Sequence, residues 1–420
     1  MRNFFVFKTF LFVLSFVLVL QFCTVGVMGV AVIKGESEIN LPDTFTASVQ
    51  NDKALKSLPV EIKAKSAVLM EASTGEILME YNGDLKLFPA SVTKIMTMLL
   101  VAEAIDSKKI SLTDNVVCSE NAASKGGSQI WLEPGESMSV DELLRATVIG
   151  SANDAATLLG EYVSGSEGAF ISLMNSRAKE LGMKNTTFVN ATGLDDTTDE
   201  HQTTARDIAI MSKELLKHEF ITKYTTVWMD SLRNGETELV NTNKLVRFYE
   251  GTTGLKTGTT AKAGCCVSAS AKRDGLHLVA VVMGSANSND RFNTAKAMLS
   301  WGFSNYTIYQ PTIDKTTIHP VSVIKGQRDV VNVKTPVLSP VLIKKGQEGA
   351  VAVKTELCTD VEAPVIQGQT LGTVTVLVND KKQNEYKITA GEEVPKLNYF
   401  GAFLKIANFL TTGSTEYPTK

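Results

Sequence analysis

Hydrophobic and polar positions change texture several times along the chain. First comes an apolar run from Thr9 to Leu20, preceded by Arg2 and Lys8 and followed by small residues up to Gly29. This is the layout of a secretory signal peptide over 1–29. An uncleaved membrane anchor is the alternative, because the apolar stretch continuing to Val32 approaches the ~20 residues that span a bilayer. Residues 30–59 read as a polar linker. In the unit from 60 to 308, "AKSAVLMEASTGEILMEYN" alternates about a Ser-Thr-Gly turn and predicts a β-hairpin. Helical periodicity then runs through "VDELLRATVIG", "DAATLLGEYV", "FISLMNSRAKEL" and "RDIAIMSKELLKH". Strands return in "GCCVSASAKRDGLHLVAVVMG", with Asp274-Gly275 as the turn, and the helix "DRFNTAKAMLSWGF" closes the unit. Strands at both ends and helices between them predict an α+β domain, a sheet packed against a helical cluster.

From 309 to 393 the pattern shifts to short β-branched runs split by Gly, Pro and Asn, which predicts a small all-β sandwich or barrel. The segment 394–413 differs again. In "PKLNYFGAFLKIANFLTTG", Asn398, Gly401, Lys405, Asn408 and Thr412 share one narrow helical face, and the rest of the wheel is apolar. A helix of this kind can lie in a membrane interface. Packing on the β module is the alternative; the terminal position and the phenylalanines favour the membrane.

Composition narrows the function classes. With 420 residues and 44% hydrophobic content the chain holds more than one globular core. A formal charge of -3 and the lack of a groove-reading motif argue against nucleic-acid binding. Cys118, Cys265, Cys266 and Cys358 are read as small hydrophobic filling rather than as bridges. The four histidines, His201, His218, His277 and His319, stand in surroundings that suggest neither a metal site nor a Ser-His-Asp triad, and no GxSxG elbow is present. No cofactor is expected.

One lysine is out of place. "PASVTKIMTMLL" puts Lys94 at the head of a nearly all-apolar helix, three residues after Ser91. Burying an ammonium is costly unless it is paired or loses its proton, and a neutral amine beside a hydroxyl is a general base beside a nucleophile. The spacing alone is weak evidence, since Ser176 and Lys179 repeat it on a helix face expected to be solvated. A second element, Ser151 to Asn153, sits between two apolar helices, unlike the matching triplets at Ser119 to Asn121 and Ser285 to Asn287. Ser151 also fits an N-cap with Asp154 completing a capping box, which leaves Asn153 unexplained. The third element, "GLKTGTT", contains the chain's only Lys-Thr-Gly. Lys256 and Thr257 supply a cation and a hydroxyl suited to a carboxylate, and Gly258 permits close backbone approach.

These three elements in this order resemble the low-molecular-weight penicillin-binding proteins, the serine-type D-alanyl-D-alanine carboxypeptidases. The exported N-terminus, "LSWGF", the β-rich second module and the amphipathic end belong to the same resemblance. It implies a β-lactamase/transpeptidase-like domain whose substrate is a peptidoglycan stem peptide ending in D-Ala-D-Ala, with β-lactams as inhibitors. Ser91 would attack the penultimate D-alanine carbonyl, Lys94 would accept its proton, Ser151 would pass a proton to the leaving amine, and Asn153 would hold the substrate amide and Lys94. Lys256 would discourage protonation of Lys94, and Thr257 would bind the terminal carboxylate. The backbone N–H groups of Ser91 and Thr259 would form the oxyanion hole, and Arg291 would add a second carboxylate contact. The protein would work at the outer face of the cytoplasmic membrane. A β-lactamase is the nearest rival, but the Glu-x-x-Leu-Asn loop of class A enzymes is missing; a DD-endopeptidase or transpeptidase on the same fold stays open, and a silent wall-binding module is disfavoured by the intact motifs.

Overall fold

The computed structural model describes residues 58–195 and 198–412; the expected signal peptide and nearly all of the linker lie outside the described residues. A five-stranded antiparallel sheet organises the first region. Its strands are β1 (Ser66–Glu71), β2 (Ile77–Tyr81), β3 (Thr252–Thr260), β4 (Gly264–Arg273) and β5 (Leu276–Ser285), in the spatial order β2-β1-β5-β4-β3. The β1–β2 hairpin forms as expected, yet all six residues of β1 are buried. The reason is coverage on both faces. Val68, Met70, Val279 and Val281 meet the helical cluster, while Ala67, Leu69, Ala280 and Val282 meet Phe292, Ala295, Met298 and Leu299. Those last four side chains belong to a helix, Ser288–Asn305, capped by the Asn287 side chain on the Asp290 amide.

The helical cluster is built around α1 (Lys94–Asp106), in which every residue from Lys94 to Ala102 is buried. Packing from all sides removes the usual wet face of a helix. Next to it lie α2 (Asn153–Ser164), α3 (Glu167–Glu180) and α4 (Ala205–Leu215). With the Ser288–Asn305 helix as α5, the order of layers is helices, sheet, helix.

Beyond Asn305 the chain is almost entirely β. Tyr306–Tyr309 pairs with Val341–Lys344, and a four-stranded sheet carries the strands Val351–Leu357, Thr370–Val378 and Lys381–Ala390. A three-stranded sheet centred on Val321–Ile324 completes the module over two small apolar cores. A last helix, α6 (Tyr399–Thr412), follows.

Candidate active site

The 3-10 turn Ala90–Thr93 delivers Ser91 to the first turn of α1. Ala90 has φ 48°, in the left-handed region that non-glycine residues enter at a cost of about 1 kcal/mol or more. Its carbonyl is pressed by Gly193, where an added Cβ would lie 1.8 Å from that oxygen. Lys94 is fully buried, and its Nζ lies 3.1 Å from Ser91 Oγ, 2.5 Å from Asn153 Oδ1 and 3.0 Å from the Thr192 carbonyl. Burial, and then the charge of Lys256, push the Lys94 pKa well below that of a free lysine, against the opposing pull of Asp154. The partners fix what the neutral amine does. A neutral amine has two N–H donors, and the Asn153 and Thr192 oxygens are acceptors only, so they consume both. The remaining lone pair is left for the Ser91 hydroxyl proton.

Asn153 is held in turn: its Nδ2 donates to the Gly126 carbonyl at 2.6 Å and its backbone N–H to Ser128 O at 2.7 Å. Ser151 ends a π-helical turn, Ala146–Gly150, in a left-handed conformation (φ 64°, ψ 27°), with no side-chain hydrogen bond among the described residues. The expected capping box is not formed. Ala152 occupies the N-cap of α2 without a side-chain bond, and the buried Asp154 carboxylate instead accepts the backbone N–H groups of Ile130 (3.1 Å), Leu132 (3.0 Å) and Ala155 (2.9 Å). Asp154 therefore ties the 126–132 segment to the base of α2, and the Ser151 hydroxyl is free of structural duty.

Lys-Thr-Gly lies within β3, an edge strand, rather than in a turn before one. An edge leaves alternate backbone groups unpaired and available to a ligand. A Cβ on Gly258 would fall 2.8 Å from both the Pro89 carbonyl and the Ser91 nitrogen, so glycine is what lets this strand close on the nucleophile. Strand alternation puts Lys256 on the same face as Gly258. Its amine is buried and donates to the Thr257 carbonyl at 3.1 Å; burial and the charge of Arg291 lower its pKa to about 7. Thr257 Oγ1 donates to Thr242 Oγ1 at 2.7 Å.

With this geometry in place, comparison with known proteins is specific. The D-alanyl-D-alanine carboxypeptidase family model matches residues 51–287, more than half of the chain. The chain belongs to that family. The penicillin-binding protein 5 C-terminal domain model matches residues 304–396. D-alanyl-D-alanine carboxypeptidase DacF of Bacillus subtilis is 43% identical over 369 residues, 86% of this chain and 94% of that relative. The crystal structure of penicillin binding protein 5 from Haemophilus influenzae superposes with a TM-score of 0.68 at 29% identity, covering 81% of this chain and 99% of its own. Penicillin-binding protein D2 from Listeria monocytogenes, in its ampicillin-bound form, superposes at 0.54 with 31% identity over 59% of this chain and all of its own.

Two residues of this family site have partners that the sequence did not show. Arg291 Nη1 donates to Thr259 Oγ1 (2.9 Å) and to the Gly258 (3.0 Å) and Cys266 (3.2 Å) carbonyls, on the face of β3 that Thr259 shares with Thr257. It braces β3 and lowers the Lys256 pKa. His201 is also more than an inert histidine. Fully buried, it accepts from the Val189 N–H at Nδ1, which leaves the Nε2 proton to donate to Thr93 Oγ1 at 2.8 Å, and burial brings its pKa down to about 4. It thereby ties the segment that carries the Thr192 carbonyl to the residue just before Lys94.

The competing matches resolve into structural parts. Ser176 and Lys179 are exposed on α3. Ser119 caps a short helix, Asn121 donates to Glu161 and Glu167, and Asn287 caps α5. Periodicity gave no signal for Thr192, Gly126 or Thr242, because two of them act through backbone carbonyls and the third comes from a distant turn. The four cysteines among the described residues are free; Cys118, Cys265 and Cys266 are buried and Cys358 is partly so.

Proposed function

We propose that the protein removes the terminal D-alanine from peptidoglycan stem pentapeptides through an acyl-enzyme on Ser91, as a serine-type D-alanyl-D-alanine carboxypeptidase. The observation that carries this is the Lys94 amine, buried, depressed in pKa and aimed by Asn153 and Thr192 at the Ser91 hydroxyl. Lys94 takes the hydroxyl proton as Ser91 attacks the penultimate D-alanine carbonyl. The oxyanion forms between the backbone N–H groups of Ser91 and Thr259, donors of a kind worth about 3 kcal/mol each. Ser151, unencumbered by other bonds, passes a proton to the departing D-alanine amine. Lys256 and Thr257 receive the terminal carboxylate, and water then hydrolyses the ester. A β-lactam, whose amide takes the place of the scissile bond, acylates the same serine; the ampicillin-bound relative from Listeria supports this reading.

The site of action we infer is the outer face of the cytoplasmic membrane, with α6 lying in the interface. Tyr399 is 99% exposed, and Phe400, Phe403, Ile406 and Leu410 are also exposed, while Lys405 pairs with Asp329 of the β module. No described helix is long and apolar enough to cross a membrane. Replacing Phe403 and Leu410 by Glu is expected to abolish co-sedimentation with anionic phospholipid vesicles; retained binding would remove this assignment.

Labelling the purified protein with a fluorescent penicillin, alongside Ser91→Ala and Ser176→Ala, tests the chemistry. Ser91→Ala is expected to lose labelling and to release D-alanine from a pentapeptide at least ~1,000-fold more slowly, and Ser176→Ala to match wild type. A labelled Ser91→Ala protein would refute the mechanism, and β-lactam turnover faster than D-alanine release would make the protein a lactamase.

A further inference from the structure

Thr242 has no obvious structural reason to be held as firmly as it is. Its side chain is exposed, yet both neighbours are buried asparagines whose side-chain oxygens accept local backbone N–H groups. Asn241 Nδ2 donates to the Val227 carbonyl at 2.8 Å, and its Oδ1 accepts the Asn243 N–H at 2.9 Å. Asn243 Oδ1 accepts the Leu245 N–H at 3.2 Å. Two successive Asx turns thus fix the backbone on either side of one exposed hydroxyl. That hydroxyl lies 2.7 Å from Thr257 Oγ1, on the edge strand beside the nucleophile.

We propose that Thr242 is a substrate-binding residue, forming with Thr257 a paired-hydroxyl clamp for the carboxylate at the end of the substrate. This rests on the carboxypeptidase reading above and goes beyond it in naming what recognises the chain end. The chemistry is that of donor supply. A carboxylate is an acceptor only, with two oxygens to satisfy, whereas Thr257 alone offers one proton and in the free protein gives it to Thr242. When the carboxylate arrives, Thr257 turns that proton to one oxygen and Thr242 donates its own to the other. The cations nearby are already engaged. Arg291 Nη1 donates to three acceptors on β3 and β4, and Lys256 donates to the Thr257 carbonyl from a buried position, which leaves the Thr242 hydroxyl as the exposed donor beside Thr257.

The test compares two peptides that differ only at the chain end, one finishing in D-Ala-D-Ala and the other in D-Ala-D-alaninamide, with wild type, Thr242→Val and Thr242→Ser. Valine keeps the shape and removes the hydroxyl; serine restores it. A hydrogen bond to a charged group predicts that Thr242→Val raises KM for the free-acid peptide about 10-fold. The effect falls on KM more than on kcat, since the bond is made in ground and transition state alike. Thr242→Val should lose much less on the amide peptide, whose neutral end has a single acceptor oxygen, and serine should recover most of the loss on the free acid. An unchanged KM in Thr242→Val, or equal losses on both peptides, would overturn the clamp. Should the wild-type protein release no D-alanine from the free-acid peptide, the carboxypeptidase reading itself fails and the clamp falls with it; penicillin labelling of each variant verifies that the Ser91 site is assembled.

Discussion

The sheet-and-helix region and the β-rich region after it treat polar groups in opposite ways. Among the described residues, every buried polar or charged side chain lies at or before Thr294, including Lys94, Asp154, His201, Lys256 and Arg291. The β module has none, and ion pairs such as Lys325–Glu362, Arg328–Glu392 and Lys382–Glu385 lie on its surface. Burying a charge costs several kcal/mol before any partner is counted, so the first region carries a load that stability alone would not select. Part of that load, Lys94 and Asn153, sits directly beside Ser91. The β module, by contrast, is held by apolar burial beneath alternating strands, such as Val351–Leu357, whose side chains switch between part-buried and exposed.

Substitutions at the two kinds of position should separate sharply. The largest contrast is expected at Ser151, which holds a left-handed backbone that glycine would adopt without strain. Ser151→Gly should leave thermal stability within about 1 kcal/mol of wild type while D-alanine release falls about 1,000-fold, the range of general acid–base catalysis. A structural residue would show the reverse. Asp154→Ala should cost about 3 kcal/mol in denaturant unfolding, because it strands the buried amides of Ile130 and Leu132. Lys382→Ala, which breaks an exposed pair in the β module, should stay within about 0.5 kcal/mol, and a loss comparable to that of Asp154→Ala would erase the distinction.

Acid should find the first region before the second. His201 is neutral when folded, with a pKa of about 4 against the 6.5 of a free imidazole. Between those values the unfolded chain binds the extra proton, so stability is lost as pH falls from about 6.5 to about 4, by about 3 kcal/mol at most. His201→Gln should reduce the slope of that part of the stability–pH curve, measured by urea unfolding at a series of pH values, and leave the share of His277, which burial also brings to about 4. A smaller effect concerns Lys256, charged below its pKa of about 7 and neutral above it. The KM for a peptide with a free carboxylate should rise severalfold as pH increases through 7, and Lys256→Arg, which keeps its charge, should remove the rise. Identical pH profiles for the two proteins would take Lys256 out of substrate binding.

Much of this was legible from the chain alone. The hairpin around Ser73 to Gly75, the all-apolar α1, the turn at Asp274-Gly275 and the shift to β texture near Tyr309 follow from periodicity and turn chemistry, both of which are local. The grouping of Ser91 and Lys94 is local too, since residues three apart at the head of a helix share a face. Spacing could not distinguish this pair from Ser176 and Lys179, and only the apolar sequence after Lys94 tipped the balance. Where the sequence reading erred, long-range contacts decided. A capping box at Ser151 is sound local chemistry, but Asp154 found better partners in the 126–132 segment. The bonds of Arg291 to Thr259, Gly258 and Cys266 likewise come from the packing of α5 on the sheet, which spacing does not show.

The sequence by itself nominated the residues of the candidate site and the elements that bear them, because helix spacing, strand alternation and turn residues act over a few positions. The tertiary structure decided how those residues behave. Lys94 becomes a base through burial, the charge of Lys256 and two acceptors from Asn153 and Thr192, and Thr257 gains Thr242 from a turn fifteen residues away. Proton affinity and hydrogen-bond supply are set by whatever surrounds a group in three dimensions, and those surroundings exist only once the sheet and the helices have closed on one another.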